Sequence, residues 1–156
     1  MSLRDYCNSD AILCELEAAD KEDAIRQLVD VLVEAKSIPK TKGSLIYREV
    51  IERERQASTG IGKGIGIPHA RSAHAKKVAM AIGFATRGID FSAVDGERVR
   101  VILLLVSPKD NTAEHLAAMK EIVTIARDAY ERQRLLGCRS PESFLDLLAE
   151  IGGRKV

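Results

Sequence analysis

Apolar residues recur at helical spacing in the first third of the chain. Between positions 20 and 35 they fall three or four residues apart, on one face of a predicted amphipathic helix: Ile25, Leu28, Val29, Leu32 and Val33. Asp20 can cap this helix, because its carboxylate can accept hydrogen bonds from the free N–H groups of the first turn. The helix should end before Pro39, since the residue preceding a proline is steered away from helical angles. A second helix is predicted over about Gly43 to Gln56.

Two short apolar runs further along the chain predict buried strands. Val78–Ala85 (VAMAIGFA) and Val99–Val106 (VRVILLLV) have the length and the β-branched content of strands. The intervening Asp95-Gly96 is a turn signal. The earlier stretch Leu13–Leu16 fits either a first strand or a loop.

Two more helices are predicted after the second strand. Asn111 or Thr112 can cap a long helix that reaches about Tyr130. Ser140-Pro141 begins a last helix, and Gly152-Gly153 ends it. Strands interleaved with helices predict an α/β fold in which helices cover a sheet.

Composition narrows the function classes. The 156 residues suit one domain over residues 1–156, with 46% hydrophobic and 30% charged residues and a formal net charge of +1. That charge gives no support to nucleic-acid binding. No apolar run is long enough for a membrane helix, and the N-terminus lacks the apolar core of a signal peptide, so we expect no membrane insertion and a cytoplasmic location. The three cysteines lack metal-ligand spacing and are expected to be reduced.

The segment from Ser58 to His69 is unusual because glycine occupies every second position from 60 to 66. Isoleucines at 61, 65 and 67 stand in the other register and are expected to anchor the segment in the core. Common nucleotide motifs do not fit. The phosphate-binding P-loop requires a hydroxyl residue after its lysine, but Lys63 is followed by Gly64. The dinucleotide motif Gly-x-Gly-x-x-Gly also fails, since its third glycine would fall on Ile65 or Ile67.

His69 ends this segment and is the candidate nucleophile. A neutral imidazole with a pKa near ~6.5 can attack a phosphoryl group at cytoplasmic pH. Transfer also requires hydrogen-bond donors for the phosphoryl oxygens. Candidate donors are the hydroxyls of Ser58 and Thr59, the backbone N–H of glycines such as Gly60, and Arg53 or Arg55 upstream.

His115 is the second candidate histidine. If a helix begins near Asn111, His115 lies in its first turns, where free N–H groups and the helix dipole favour phosphate. A second imidazole there could hold either the phosphoryl oxygens or the first histidine. His74 stands among basic residues and is expected to be solvated, and Lys63 is expected to be exposed.

These residues together resemble a known signature. The strings Arg53-Glu54, Ser58-Thr59-Gly60-Ile61-Gly62, Gly64-Ile65 and Ile67-Pro68-His69 resemble the active-site motif of enzyme IIA domains of the phosphoenolpyruvate:sugar phosphotransferase system, in the fructose/mannitol class that includes the nitrogen-regulatory enzyme IIA proteins. Val94-Asp95-Gly96, Val106-Ser107-Pro108 and His115-Leu116 are similar to the second half of the family. The likeness covers about residues 10 to 150. Small residues differ from the common pattern at Ala57, Gly66 and Ala70, which leaves the subfamily open.

The resemblance implies a phosphohistidine carrier with a mixed β-sheet flanked by helices on both faces. It implies that His69 is phosphorylated by the phosphocarrier HPr or its nitrogen-branch counterpart, that His115 assists, and that Arg53 lies near the site. We expect no cofactor and no metal. In sugar-transport members, a cysteine of a IIB domain receives the phosphoryl group.

Two functions share this chemistry and differ in the recipient. One is a sugar-transport IIA that passes phosphate to a IIB partner, and the other is a regulatory protein whose phosphorylation state changes its contacts with target proteins. A chain with no fused IIB or membrane domain favours the regulator. A metal-dependent hydrolase is disfavoured, because His69, His74 and His115 show no metal-ligand spacing.

Overall fold

The computed structural model describes residues 2–153, and within them six strands form one mixed sheet. The strands are β1 (Cys7–Leu13), β2 (Gly60–Gly62), β3 (Ile65–Gly66), β4 (His69–Ser72), β5 (Ala79–Ile89) and β6 (Val99–Pro108). Their order is β1-β5-β6-β3-β2, and β4 also pairs with β6. β5 and β6 are antiparallel, whereas β1 runs parallel to β5, and β3 and β4 run parallel to β6. Met1 and residues 154–156, which the one-domain prediction included, lie outside the described residues.

Helices cover both faces of this sheet, which confirms the predicted fold class. α1 (Lys21–Glu34) and α2 (Gly43–Gln56) pack on one face, and α3 (Thr112–Arg127), α4 (Ala129–Leu136) and α5 (Pro141–Gly153) pack on the other. Alternate residues of β5 divide between the two cores, because successive side chains of a strand point to opposite faces. Ala79 and Ala81 join the first core, whereas Met80 and Ile82 join the second.

The first two helices begin and end where the sequence predicts. The Asp20 carboxylate accepts from the backbone N–H of Asp23 at 2.8 Å, which confirms the predicted cap of α1. The predicted third helix is wrong at its end, since α3 stops at Arg127 instead of continuing to Tyr130. Asp128 adopts an extended backbone there and accepts from the N–H of Glu131 at 3.0 Å, so it caps a separate helix, α4.

Two predictions need correction: the position of the first strand and the burial of Ile61. The first strand is Cys7–Leu13, earlier than the stretch Leu13–Leu16 that the sequence left open between strand and loop. Ile61 was expected in the core, but it is 39% exposed because β2 is the outermost strand of the sheet. Ile65 and Ile67 are buried as expected.

Candidate functional site

His69 is the first residue of β4, and its ring is fixed by a backbone contact. The carbonyl of the preceding Pro68 accepts from the N–H of Leu105 at 3.0 Å, which aligns β4 beside β6. The imidazole Nδ1 lies 2.8 Å from the carbonyl oxygen of Ile67. A carbonyl oxygen only accepts hydrogen bonds, so neutral His69 carries its proton on Nδ1. The lone pair is therefore on Nε2, which is the ring nitrogen that could act as a nucleophile.

The surroundings of His69 keep the imidazole neutral. Burial is the largest influence and lowers the pKa of His69 below its ordinary value. The hydrogen bond to Ile67 opposes this shift, whereas the positive charge of Arg53 adds to it. An imidazole with a lowered pKa is neutral at pH 7, so one ring nitrogen keeps its proton and the other keeps its lone pair.

His115 lies in the first turns of α3, as expected from a helix that begins near Asn111. Asn111 caps that helix by accepting from the N–H of Glu114. The His115 side chain is buried, and its Nδ1 lies 2.7 Å from the Ser107 hydroxyl oxygen. Burial, followed by the neighbouring His69 and Arg71, lowers the pKa of His115 to about 4. His115 is therefore also neutral at pH 7.

The fold brings the two histidines together although 45 positions separate them in the sequence. Their ring centroids are 5.7 Å apart, with the ring planes inclined at 47°. His69 belongs to β4 and His115 to α3, so the pair forms where the first turns of α3 lie beside β4 and the end of β6. Two neutral imidazoles at this separation can act on one phosphoryl group.

An open cleft of about 590 Å³ contains both histidines. Its walls come from α2, β4 and the start of α3, and they consist of Glu49, Glu52, Arg53, Gln56, His69, Ala70, Arg71, Lys109, Thr112, His115 and Leu116. Three of these side chains are cationic and two are anionic. The cleft thus has the size and the positive groups to receive a phosphoryl oxyanion.

Arg53 lies in this cleft, and Arg55 does not. The Arg53 guanidinium donates to the carbonyl oxygen of Ala57 at 3.1 Å, just beyond the end of α2, and its charge acts on His69. Arg55 is exposed and contacts Glu22 at 3.4 Å instead. The structure therefore separates the two arginines that the sequence offered as phosphate-binding candidates.

Arg71 is a cleft residue that sequence reasoning missed. It follows His69 by two positions on β4, so the two side chains share one side of the strand. Its guanidinium donates to the Thr112 hydroxyl at 2.6 Å, which ties β4 to the first turn of α3. The sequence could have indicated Arg71, because residues two apart on a strand share one side of it. However, β4 has only four residues and was not predicted as a strand.

Ser58, Thr59 and Gly60, which the sequence offered as lower-ranked phosphate ligands, do not line the cleft. The Ser58 hydroxyl donates to the carbonyl oxygen of Phe91 at 2.5 Å. Thr59 is buried, and both its backbone N–H and its hydroxyl donate to the Glu54 carboxylate. These donors hold the segment against the rest of the fold.

The alternating glycines allow close packing of the segment. A Cβ on Gly60 would lie 2.8 Å from the Cβ of Ala93, and one on Gly66 would lie 3.0 Å from the Phe91 ring. Lys63 is exposed as expected, and its backbone N–H donates to Asp95 at 2.8 Å. His74 is outside the cleft, where its backbone N–H donates to the Ser72 hydroxyl.

The described part of the chain contains no cluster of three or more His, Cys, Asp or Glu side chains that could hold a metal ion. None of the helices within residues 2–153 combines the length and the apolar character needed to cross a membrane.

Comparison with known protein families shows the family to which the sequence belongs. The sequence profile of the family described as phosphoenolpyruvate-dependent sugar phosphotransferase system, EIIA 2, matches residues 5–151. The chain belongs to this EIIA family. Its members are phosphotransferase components that transfer phosphoryl groups through a phosphohistidine. The paired histidines of the cleft therefore lie in a fold that serves this chemistry.

Relatives of this EIIA chain include both functional types. A fructose-specific EIIA component from Haloferax volcanii is 32% identical over 90% of the chain and 90% of the relative. A nitrogen regulatory protein from Bradyrhizobium diazoefficiens is 27% identical over 96% and 95%. A fructose-specific EIIABC component from Bacillus subtilis is 30% identical over 95% of the chain, which spans only 23% of that longer protein.

Solved structures give the same fold. The crystal structure of the nitrogen regulatory protein IIA-Ntr from Neisseria meningitidis has a TM-score of 0.85 to this EIIA chain, at 25% identity, over 94% of the chain and 98% of the other. A complex of mannitol IIA with phosphorylated IIB from Escherichia coli has a TM-score of 0.75 at 20% identity, over 92% and 96%. The second likeness concerns the fold alone.

Proposed function

We propose that this chain is a phosphohistidine carrier in which Nε2 of His69 accepts the phosphoryl group. The observation that carries the proposal is the 2.8 Å contact of His69 Nδ1 with the Ile67 carbonyl, which leaves the lone pair on Nε2 beside a cationic cleft. Attack by Nε2 forms the new N–P bond while the P–N bond of a donor phosphohistidine breaks, and its electron pair returns to the donor imidazole. The His69 ring gains positive charge, and its Nδ1–H bond to Ile67 stabilises that charge.

The other cleft residues have separate roles in this proposal. Arg53 and Arg71 offer guanidinium donors to the phosphoryl oxygens, and His115 offers a neutral donor beside them. Contacts of Ser58, Thr59 and Gly60 with phosphate stay a prediction, which their present hydrogen bonds do not favour.

The proposal also includes the protein that donates the phosphoryl group and the cell compartment. An HPr-type phosphocarrier in the cytoplasm is the donor, and the residues of the chain form one EIIA domain. The exposed Leu116 supports a protein donor, because it presents an apolar side chain at the rim of the cleft next to His115. A protein partner can bury such a side chain on docking.

A phosphorylation assay tests the proposal. Phosphorylated HPr should add one acid-labile phosphoryl group to the wild-type protein, as seen by intact-mass spectrometry. His69→Gln should take up none, because within the described residues His69 is the imidazole whose Nδ1 contact with a carbonyl leaves an Nε2 lone pair in the cleft. His74→Ala is the matched control and should be phosphorylated like the wild type. Stable phosphorylation of His69→Gln at another residue contradicts the assignment.

Two candidate functions remain, and they differ in the protein that responds to or receives the phosphoryl group of His69. The likeness to IIA-Ntr over nearly the whole of both chains supports a nitrogen-regulatory carrier, in which target proteins read the phosphorylation state. The 32% identity to a fructose EIIA component supports the alternative, a sugar-transport carrier that passes phosphate to a IIB cysteine. Offering the phosphorylated protein to a fructose IIB domain separates them. Label that moves from His69 to the IIB cysteine assigns transport, and label that stays on His69 contradicts a fructose-transport carrier.

A further inference from the structure

Ser107 is the buried polar residue at the end of an apolar strand. The β6 residues from Val101 to Val106 are all apolar and buried, and Ser107 follows them with a side chain that is 0% exposed. Its hydroxyl oxygen lies 2.7 Å from Nδ1 of His115. Within the described residues, this is the hydroxyl's single hydrogen bond, so His115 alone accounts for a polar group at this position.

The direction of that hydrogen bond follows from the hydroxyl proton. A serine hydroxyl has one proton to donate and lone pairs to accept with. If Nδ1 of His115 carried the ring proton, the hydroxyl would accept, and its own proton would be buried without an acceptor. If the hydroxyl donates to Nδ1, no buried donor is left over. The second arrangement is favoured, and it places the proton of neutral His115 on Nε2.

The two imidazoles of the cleft are therefore set as opposite tautomers. A carbonyl acceptor at Ile67 draws the His69 proton to Nδ1, and a hydroxyl donor at Ser107 draws the His115 proton to Nε2. His69 then offers a lone pair from Nε2, whereas His115 offers an N–H. A lone pair on His115 Nε2 would repel an anionic phosphoryl oxygen, whereas an N–H can bind it.

We propose that Ser107 is a positioning residue whose hydroxyl holds His115 as the Nε2–H tautomer, so that His115 donates to a phosphoryl oxygen during transfer at His69. This inference rests on the proposed function. Ser107 itself touches neither phosphate nor partner, and it acts through the orientation and the proton of His115.

The tautomers can be read in the unphosphorylated protein. Nitrogen-15 spectra of the histidine rings in the wild type should show His115 protonated on Nε2 and His69 protonated on Nδ1. Ser107→Ala should move His115 toward the Nδ1–H form, and Ser107→Thr, which keeps the hydroxyl, should restore the wild-type spectrum. Ser72→Ala removes another fully buried serine hydroxyl, from β4, and should leave the His115 resonances unchanged.

The transfer rate completes the test. Phosphorylation of Ser107→Ala by phosphorylated HPr should be about 100-fold slower, which is the usual loss when one donor to a developing oxyanion is removed. Ser107→Thr should recover most of that rate. A wild-type His115 that carries its proton on Nδ1, a His115 tautomer that Ser107→Ala does not change, or an altered tautomer with an unchanged rate overturns the role of Ser107. A wild-type protein that shows the expected tautomers but takes up no phosphate contradicts the proposed function instead.

Discussion

The Ser58 hydroxyl donates to the backbone of Phe91 at 2.5 Å and also accepts from the N–H of Gly60 at 3.0 Å. The first contact joins the start of the glycine segment to the loop that follows β5, and the second lies within the segment itself. The Ser58 hydroxyl therefore already makes two hydrogen bonds within the protein, and a phosphate ligand would have to displace one of them. Removal of the Ser58 hydroxyl should therefore lower the stability of the protein but leave the rate of phosphate transfer nearly unchanged.

Ser58→Ala is expected to lower the free energy of unfolding by about 1 kcal/mol, the usual contribution of one intramolecular hydrogen bond. The rate of phosphorylation at His69 should stay within about twofold of the wild type, a difference of about 0.4 kcal/mol in activation free energy. Urea unfolding and the transfer assay measure the two effects, and Ser9→Ala, at an exposed position on β1, is the surface control. A large loss of rate with unchanged stability would restore Ser58 as a phosphate ligand.

Some residues of the site can be recognised from the sequence alone, and others only from the way the strands pair. His69 is found from the glycine-to-histidine string and Arg53 from the family resemblance of Arg53-Glu54 just upstream, and both signals are local. Arg71 and Ser107 are recognised as neighbours of the histidines only when β4 pairs with β6, in the register that places Arg71 opposite Ser107. That pairing is a long-range property of the sheet. Ile61 was misplaced for the same reason, because nothing local marks β2 as an edge strand.

At the scale of elements, one buried carboxylate joins α1, α2 and the segment before β2. Glu54 of α2 is 4% exposed and accepts from the Lys21 ammonium at 3.1 Å and from the Thr59 backbone at 2.8 Å. Lys21 also donates to the Phe91 carbonyl oxygen at 3.2 Å. These contacts hold the C-terminal turn of α2, and with it Arg53, close to the glycine segment.

Glu54→Gln should lower the free energy of unfolding by about 2 kcal/mol, because Lys21 loses its counter-charge and Thr59 loses a charged acceptor. Glu22→Gln is the matched control, since the pair of Glu22 with Arg55 is 51% and 68% exposed and should contribute no more than about 0.5 kcal/mol. Urea unfolding of both variants measures the difference. Equal losses in the two variants would show that burial gives the Glu54 contacts no extra strength.

The break between α3 and α4 shows where element prediction failed and why. The apolar pattern continues through it, so periodicity alone predicts one helix to Tyr130. Asp128 followed by Glu131 has the spacing of a helix start, and the structure uses Asp128 in that way. The local capping preference therefore outweighed the periodic pattern. The bounds of α1 and α2 were predictable because capping signals and periodicity agree there.

At the scale of the whole molecule, the cleft lies between the two helical layers. α2, which supplies Arg53, packs on one face of the sheet, and α3, which supplies His115, packs on the other. β4 supplies His69 between them. Unfolding of the sheet or of either layer disassembles the site, so protonation of a buried histidine is linked to the stability of the entire fold.

The pH dependence of unfolding should report that linkage. The pKa of His115 is about 4 in the folded protein and near ~6.5 in an unfolded chain, so between these values the unfolded state binds the extra proton. Stability is therefore complete above about pH 6.5 and falls as the pH is lowered toward 4. Between pH 6.5 and pH 5, His115 should account for a loss of about 2 kcal/mol. His115→Gln cannot titrate, so its free energy of unfolding should fall by about 2 kcal/mol less than that of the wild type over this interval. Urea unfolding at several pH values measures both slopes, and parallel slopes would mean that His115 is not kept neutral by burial.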